Sequence, residues 1–123
     1  MKIVAVIPCF NVGSSVFKLI NKTLFYVDKV IVVDDCCPKK TGKLVREKFY
    51  YKKKVIVIEN KKNLGVGGAV KKGYEYSLKL PCDYIVKLDG DGQMDPKYIR
   101  KFKYFAKIKK ADYLKGNRFF KSK

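Results

Sequence analysis

Two aspartates one residue apart, in the run Asp89-Gly90-Asp91-Gly92-Gln93, are the strongest chemical feature of this chain. Gly90 lets the backbone turn with no side chain in the way, so both carboxylates can be aimed at one point. Such a pair suits a hard divalent cation, Mg2+ or Mn2+, which takes oxygen ligands and completes its shell with substrate phosphates. Gln93 offers a further oxygen, and the implied substrate is a nucleoside diphosphate. Asp-Gly-Asp-Gly is also turn chemistry that needs no ligand, so spacing alone leaves both readings open. A calcium loop of the twelve-residue type does not fit, because its last position counted from Asp89 is Arg100 and not Glu.

These residues need a frame to hold them. Apolar runs at Ile3–Ile7, Val30–Val33, Val55–Ile58 and Tyr84–Leu88 are short and nearly continuous, as in strands buried on both faces. Helical spacing appears between them at Val16, Leu19, Ile20 and Thr23, then Leu44, Val45 and Lys48, then Val70, Gly73, Tyr74, Ser77 and Leu78. The order β-α-β-α-β-α-β predicts an α/β fold: an open, mainly parallel sheet with helices on both faces. A further helix is expected from Pro96 with Asp95 as N-cap and Ile99, Phe102 and Phe105 or Ala106 as its apolar stripe. Ala111–Leu114 reads as a last strand.

In such sheets ligands bind beyond the carboxyl ends of the strands. Pro8-Cys9-Phe10-Asn11 follows the first run, Asp34-Asp35 the second, Glu59-Asn60 the third and Asp89-Gly90-Asp91 the fourth. Four of the 11 acidic residues therefore fall immediately after two strands, which points to a cation or a donor-rich ligand rather than to solubility. Asn63-Leu64-Gly65-Val66-Gly67-Gly68-Ala69 follows the third strand and opens a helix, where backbone amides could approach a phosphate. Close packing of helix on sheet explains those glycines equally well. The segment is neither a dinucleotide fingerprint nor a P-loop.

The chain has 123 residues, 29 basic and 11 acidic, for a net charge of +18. That length suits one domain spanning residues 1–123. The lysines are scattered and read mainly as solvent-facing charge, with a general attraction to anionic lipid surfaces. Nucleic acid is disfavoured, because the acidic strand ends would repel its phosphates. Cys9, Cys36, Cys37 and Cys82 lack metal-ligand spacing and the chain has no histidine, so they read as reduced thiols. With no apolar run long enough to cross a bilayer, the chain is expected to be cytoplasmic, with peripheral contact to the cytoplasmic membrane face.

Taken together, Ile7-Pro8-Cys9-Phe10-Asn11, Val32-Val33-Asp34-Asp35, Asn63 to Ala69 and Leu88 to Pro96 resemble family 2 glycosyltransferases in order and spacing. With Lys115-Gly116-Asn117-Arg118-Phe119, the chain is similar to the branch that contains dolichyl- and polyprenyl-phosphate sugar synthases. The resemblance implies a GT-A fold and a GDP- or UDP-sugar donor. Pro8, Asn11 and Asp35 or Asp34 would hold base and ribose, and Asp89, Asp91 and Gln93 the metal. It also implies nucleotide contacts at Asn63, Gly67, Gly68 and Lys71, and a phosphate-neutralising, catalytic role for Arg118 beside Asp89 and Asp91. The acceptor it implies is a polyprenyl phosphate. Family members usually continue into an acceptor-binding segment, which this chain is expected to lack. A silent nucleotide- or lipid-surface-binding module is the alternative from another class, and a nucleotidyltransferase the alternative enzyme.

Overall fold

The computed structural model describes residues 1–109. The expected last strand at 111–114 and Arg118 lie outside the described residues. Four strands form one parallel sheet: β1 (Ile3–Cys9), β2 (Lys29–Asp34), β3 (Val55–Glu59) and β4 (Tyr84–Lys87), in the spatial order β3-β2-β1-β4. Helices α1 (Val16–Thr23), α2 (Thr41–Lys48) and α3 (Gly65–Ser77) connect them, and α4 (Tyr98–Lys109) follows β4.

The alternation of side chains along each strand divides the core in two. Ile3, Ala5, Ile7 and Cys9 of β1 join Val30 and Val32 of β2 on one face, under residues of α1, α2 and α4. Val4 and Val6 join Ile31 and Val33 on the other face, under Ala69 of α3. The chain steps outward from β1 to β2 and β3 on the first face, then α3 crosses behind the sheet and delivers β4 to the opposite side of β1. This reversal makes the gap between the carboxyl ends of β1 and β4 the place where a parallel sheet opens a crevice.

Pro8 lies in β1 without costing a ladder bond. The Val6 carbonyl accepts from Leu88 on the β4 side and the Cys9 carbonyl accepts from Asp35 on the β2 side, so Pro8 faces β4. Pairing with β4 has already ended there, at Val6 opposite Lys87, and the missing N–H is not needed.

Helix faces differ from the expected ones in three places. Val16, Leu19, Ile20 and Thr23 are all buried, as the spacing predicts, but on α2 Lys48 is exposed and Thr41, Gly42 and Val45 face the sheet. On α3 Tyr74 and Leu78 turn outward, 40% and 79% exposed, while Ala69, Gly73 and Ser77 make the contact. The reason is distance: a Cβ on Gly73 would lie within van der Waals contact of Val6, so the helix sits too close to the sheet for large side chains along that line. On the last helix, Asp95 Oδ1 accepts from the Lys97 amide at 3.0 Å, and the regular helix begins at Tyr98, not Pro96. Ile99 and Ala106 are buried on it and Phe102 and Phe105 half-buried, as the stripe requires.

Candidate functional site

Beyond the carboxyl ends of β1 and β4, the loop that carries the two aspartates packs on the end of the first strand. A Cβ on Gly90 would lie 3.1 Å from both the Cys9 Sγ and the Pro8 carbonyl oxygen, a contact tighter than side chains ordinarily make, so glycine lets this loop close on β1 without displacing it. Gly92 then takes φ +76°, a conformation L side chains rarely adopt. The Asp91 carboxylate accepts from the Gln93 amide at 3.0 Å and stays exposed. Asp89 is half-buried and its carboxylate pairs with the Lys87 ammonium at 3.0 Å.

The two aspartates at the end of β2, Asp34 in the strand and Asp35 just after it, are both 4% exposed but are used differently. Asp34 accepts from the Cys37 amide through Oδ1 and from the Gly42 amide through Oδ2, each at 2.8 Å, which fixes the loop and the start of α2. Gly42 is required there, since a Cβ would lie 2.9 Å from that of Asp34. Asp35 places both its accepted bonds on Oδ1, from Asn60 Nδ2 at 2.9 Å and the Leu64 amide at 2.8 Å, and its Oδ2 has no partner among the described residues. Asn60 thereby ties β3 to β2, and its own Oδ1 is buried with no partner among the described residues. A buried acceptor left unpaired costs about 1–3 kcal/mol, a cost that a ligand donor would remove.

The loop after β1 is bound to the loop after β2. The Asn11 amide donates to Cys37 Sγ at 2.7 Å, the Gly13 amide to Thr41 Oγ1 at 3.0 Å, and Cys37 Sγ lies 3.2 Å from Thr41 Oγ1. Asn11, Cys36 and Lys40 all have left-handed φ, between 51° and 61°, so three non-glycine residues of these two loops carry backbone strain. Burial pushes the Cys9 thiol up to about 12, with the nearby charge of Asp34 and then Cys37 adding to it. Burial also pushes the Cys37 thiol up, but hydrogen bonds from Thr41, Asn11 and Lys39 outweigh it and leave the thiol below its usual range.

On the third strand's side, Asn63 Oδ1 accepts from the Gly65 amide at 2.8 Å, and no side chain caps α3. With the Leu64 amide bound by Asp35 and the Gly65 amide by Asn63, the amides left to an anion in its first turn are those of Val66 and Gly67. Gly67 has open space where a Cβ would be, whereas a Cβ on Gly68 would lie 2.6 Å from that of Leu64. The Lys71 side chain is exposed on α3 and makes no hydrogen bond or ion pair with the described residues.

The structure thus gathers Pro8, Asn11, Asp34, Asp35, Asp89 and Asp91 at one sheet edge. Nothing in the sequence marks Thr41, and Asn60 is marked only by its position after β3, equivalent to that of Asp35 after β2. No group of three or more His, Cys, Asp or Glu able to hold a metal occurs among the described residues. Two carboxylates with substrate phosphates remain a donor set that Mg2+ accepts.

The arrangement is that of a GT-A-type glycosyltransferase domain. Residues 1–349 of Staphylococcus aureus TarS superpose with a TM-score of 0.71 at 23% identity, over 91% of this chain and 34% of that fragment, which shows the fold. The chain belongs to glycosyl transferase family 2, whose sequence profile matches residues 4–123. It is 27% identical over 120 residues to an undecaprenyl-phosphate mannosyltransferase of Micrococcus luteus, covering 96% of this chain and 49% of the relative. An uncharacterized protein of Methanocaldococcus jannaschii is 34% identical over 120 residues, covering 96% of this chain and 52% of its own length. The chain spans about half the length of the curated relatives it matches. No helix among the described residues is long and apolar enough to cross a membrane.

Proposed function

We propose that residues 1–123 act as the nucleotide-sugar-binding domain of a glycosyltransferase that passes a sugar from a GDP- or UDP-sugar to a polyprenyl phosphate. The observation that carries this reading is the closure of the Asp89–Asp91 loop on Pro8 and Cys9 through Gly90, at the point where the strand order reverses.

Asp35 is the base- or ribose-binding carboxylate in this reading, because its Oδ2 is the oxygen left for a ligand, while Asp34 positions the loop. The buried Asn60 Oδ1 would accept from an N–H of the base. Pro8 and Asn11 would line the base's other side. The α3 amide at Gly67, with Gly68 beside it and Asn63, Lys71 and Arg118, would face the phosphates.

Asp89 and Asp91, with Gln93, would hold Mg2+ or Mn2+, which supplies positive charge against the charge developing on the leaving diphosphate. Lys87, 3.0 Å from Asp89, pairs with that carboxylate and positions it. A phosphate acceptor is already ionised near neutral pH, so the chain needs no general base for the attack on the anomeric carbon. The Micrococcus relative's name, which specifies an undecaprenyl-phosphate acceptor and mannosyl transfer, supports this choice of acceptor.

Calorimetric titration of GDP and UDP, each with and without Mn2+, tests the reading. Manganese-dependent binding that Asp91→Asn removes is the expected result and reveals the preferred base. Binding of neither nucleotide under any condition would refute it.

A further inference from the structure

Helix α4 carries five basic residues, Arg100, Lys101, Lys103, Lys107 and Lys109, and no acidic one. A helix that merely faces water gains from interspersed acids, since like charges one turn apart repel. Here Lys103 and Lys107 form such a pair, while Lys97, just ahead of the helix and four residues before Lys101, lies 4.0 Å from the Asp95 carboxylate. Arg100 and Lys101 also sit in the first turn, where the helix dipole disfavours positive charge. An external anion would relieve all of this.

The surface around these cations is not simply polar. Tyr26, in the loop after α1, combines with Lys97, Tyr98, Arg100, Lys101 and Tyr104 to line an open groove. The Arg100 guanidinium lies 5.8 Å from the Tyr26 ring centre and the Lys97 ammonium 5.5 Å from that of Tyr98. Beside Tyr26, Phe25 is 86% exposed. One turn apart on α4, Tyr104 and Ile108 are 61% and 57% exposed. Cations interleaved with outward aromatic and aliphatic groups match the bilayer interface, where phosphates lie directly above an apolar boundary.

We propose that this surface, α4 together with Phe25 and Tyr26, seats the protein on an anionic phospholipid bilayer. The basic side chains pair with headgroup phosphates, and Phe25, Tyr104 and Ile108 enter the boundary below them. A nucleic acid would satisfy the cations but offers no apolar layer to an outward isoleucine. The net charge of +18 adds long-range attraction to the same surface. Because α4 begins a few residues beyond Asp91, this seating also brings the donor edge towards lipid-borne phosphates, a consequence that rests on the function proposed above.

Co-sedimentation of the full chain with vesicles tests the proposal, with neither nucleotide nor metal present, so that its failure and that of the donor-site reading are separable. Binding to vesicles of phosphatidylglycerol and phosphatidylcholine, and not to phosphatidylcholine alone, is expected. Lys97→Gln with Lys101→Gln should weaken it roughly 30-fold, about fivefold for each lysine neutralised. Phe25→Ala should remove the binding that persists at high salt. The matched pair Lys43→Gln and Lys72→Gln, on exposed positions of α2 and α3, should change it by less than about threefold. All of these side chains are exposed, and thermal unfolding of each variant verifies that the fold is kept. Absence of binding, equal loss in the matched pair, or no effect of Phe25→Ala would each overturn the proposal.

Discussion

Replacing Gly73 by alanine puts the fit of α3 on the sheet to a quantitative test. The new Cβ would fall deep within contact of Val6 Cγ1 and 3.2 Å from its Cγ2. Val6 is fully buried in β1, which is paired on both sides, so it cannot move aside. Overpacking of this kind costs about 1–3 kcal/mol, and the depth of the overlap places this case near the upper end. Alanine recovers about 1 kcal/mol of helix propensity, which leaves a net loss of about 2 kcal/mol. For a chain of this size that corresponds to a fall in Tm of about 8 °C. Gly67→Ala is the matched control, because its Cβ meets nothing within 4 Å. It should raise Tm by about 2–4 °C from propensity alone. Urea denaturation, read as a change of midpoint at constant slope, separates stability from compactness. A Gly73→Ala protein as stable as Gly67→Ala would refute the packing argument. The control also reads the nucleotide site: Gly67→Ala should weaken nucleotide binding although it stabilises the fold, since the space it fills is where a phosphate would approach.

Asp34→Asn should cost about 2 kcal/mol, because one of its two backbone-amide bonds is lost. Asp35→Asn can keep both its bonds on one oxygen, so it should shift stability by less than about 1 kcal/mol while weakening nucleotide binding; denaturation and calorimetry on the same samples distinguish the two. The Cys9 thiol, raised from 9.0 to about 12, is held neutral in the fold, so its contribution is complete below pH 9 and is lost as pH rises from 9 towards 12. Stability measured across that window should fall by up to about 1.4 kcal/mol per pH unit from this group, and Cys9→Ala should flatten the slope. Exposed Cys36 should react with a thiol reagent first, and buried Cys9 only on unfolding.

Much of this protein follows from its sequence because continuous β-branched runs and helical spacing are local properties. The four strands, the helix faces at Val16, Leu19, Ile20 and Thr23, and the gathering of carboxylates at one edge all follow from residue order and from the rule that parallel strands need crossovers. Three things did not follow. The outward turn of Tyr74 and Leu78 depends on how closely α3 lies against Val6, a distance set by two distant segments. The division of labour between Asp34 and Asp35 depends on which backbone amides the folded loops present, and adjacent identical residues give no hint of it. Asn60 became a site residue only when β3 was placed beside β2, so that its amide could reach Asp35. Local pattern determined which groups this chain brings to its carboxyl edge; tertiary packing decided which of their oxygens remain for a ligand, because a buried carboxylate must first satisfy the amides that surround it.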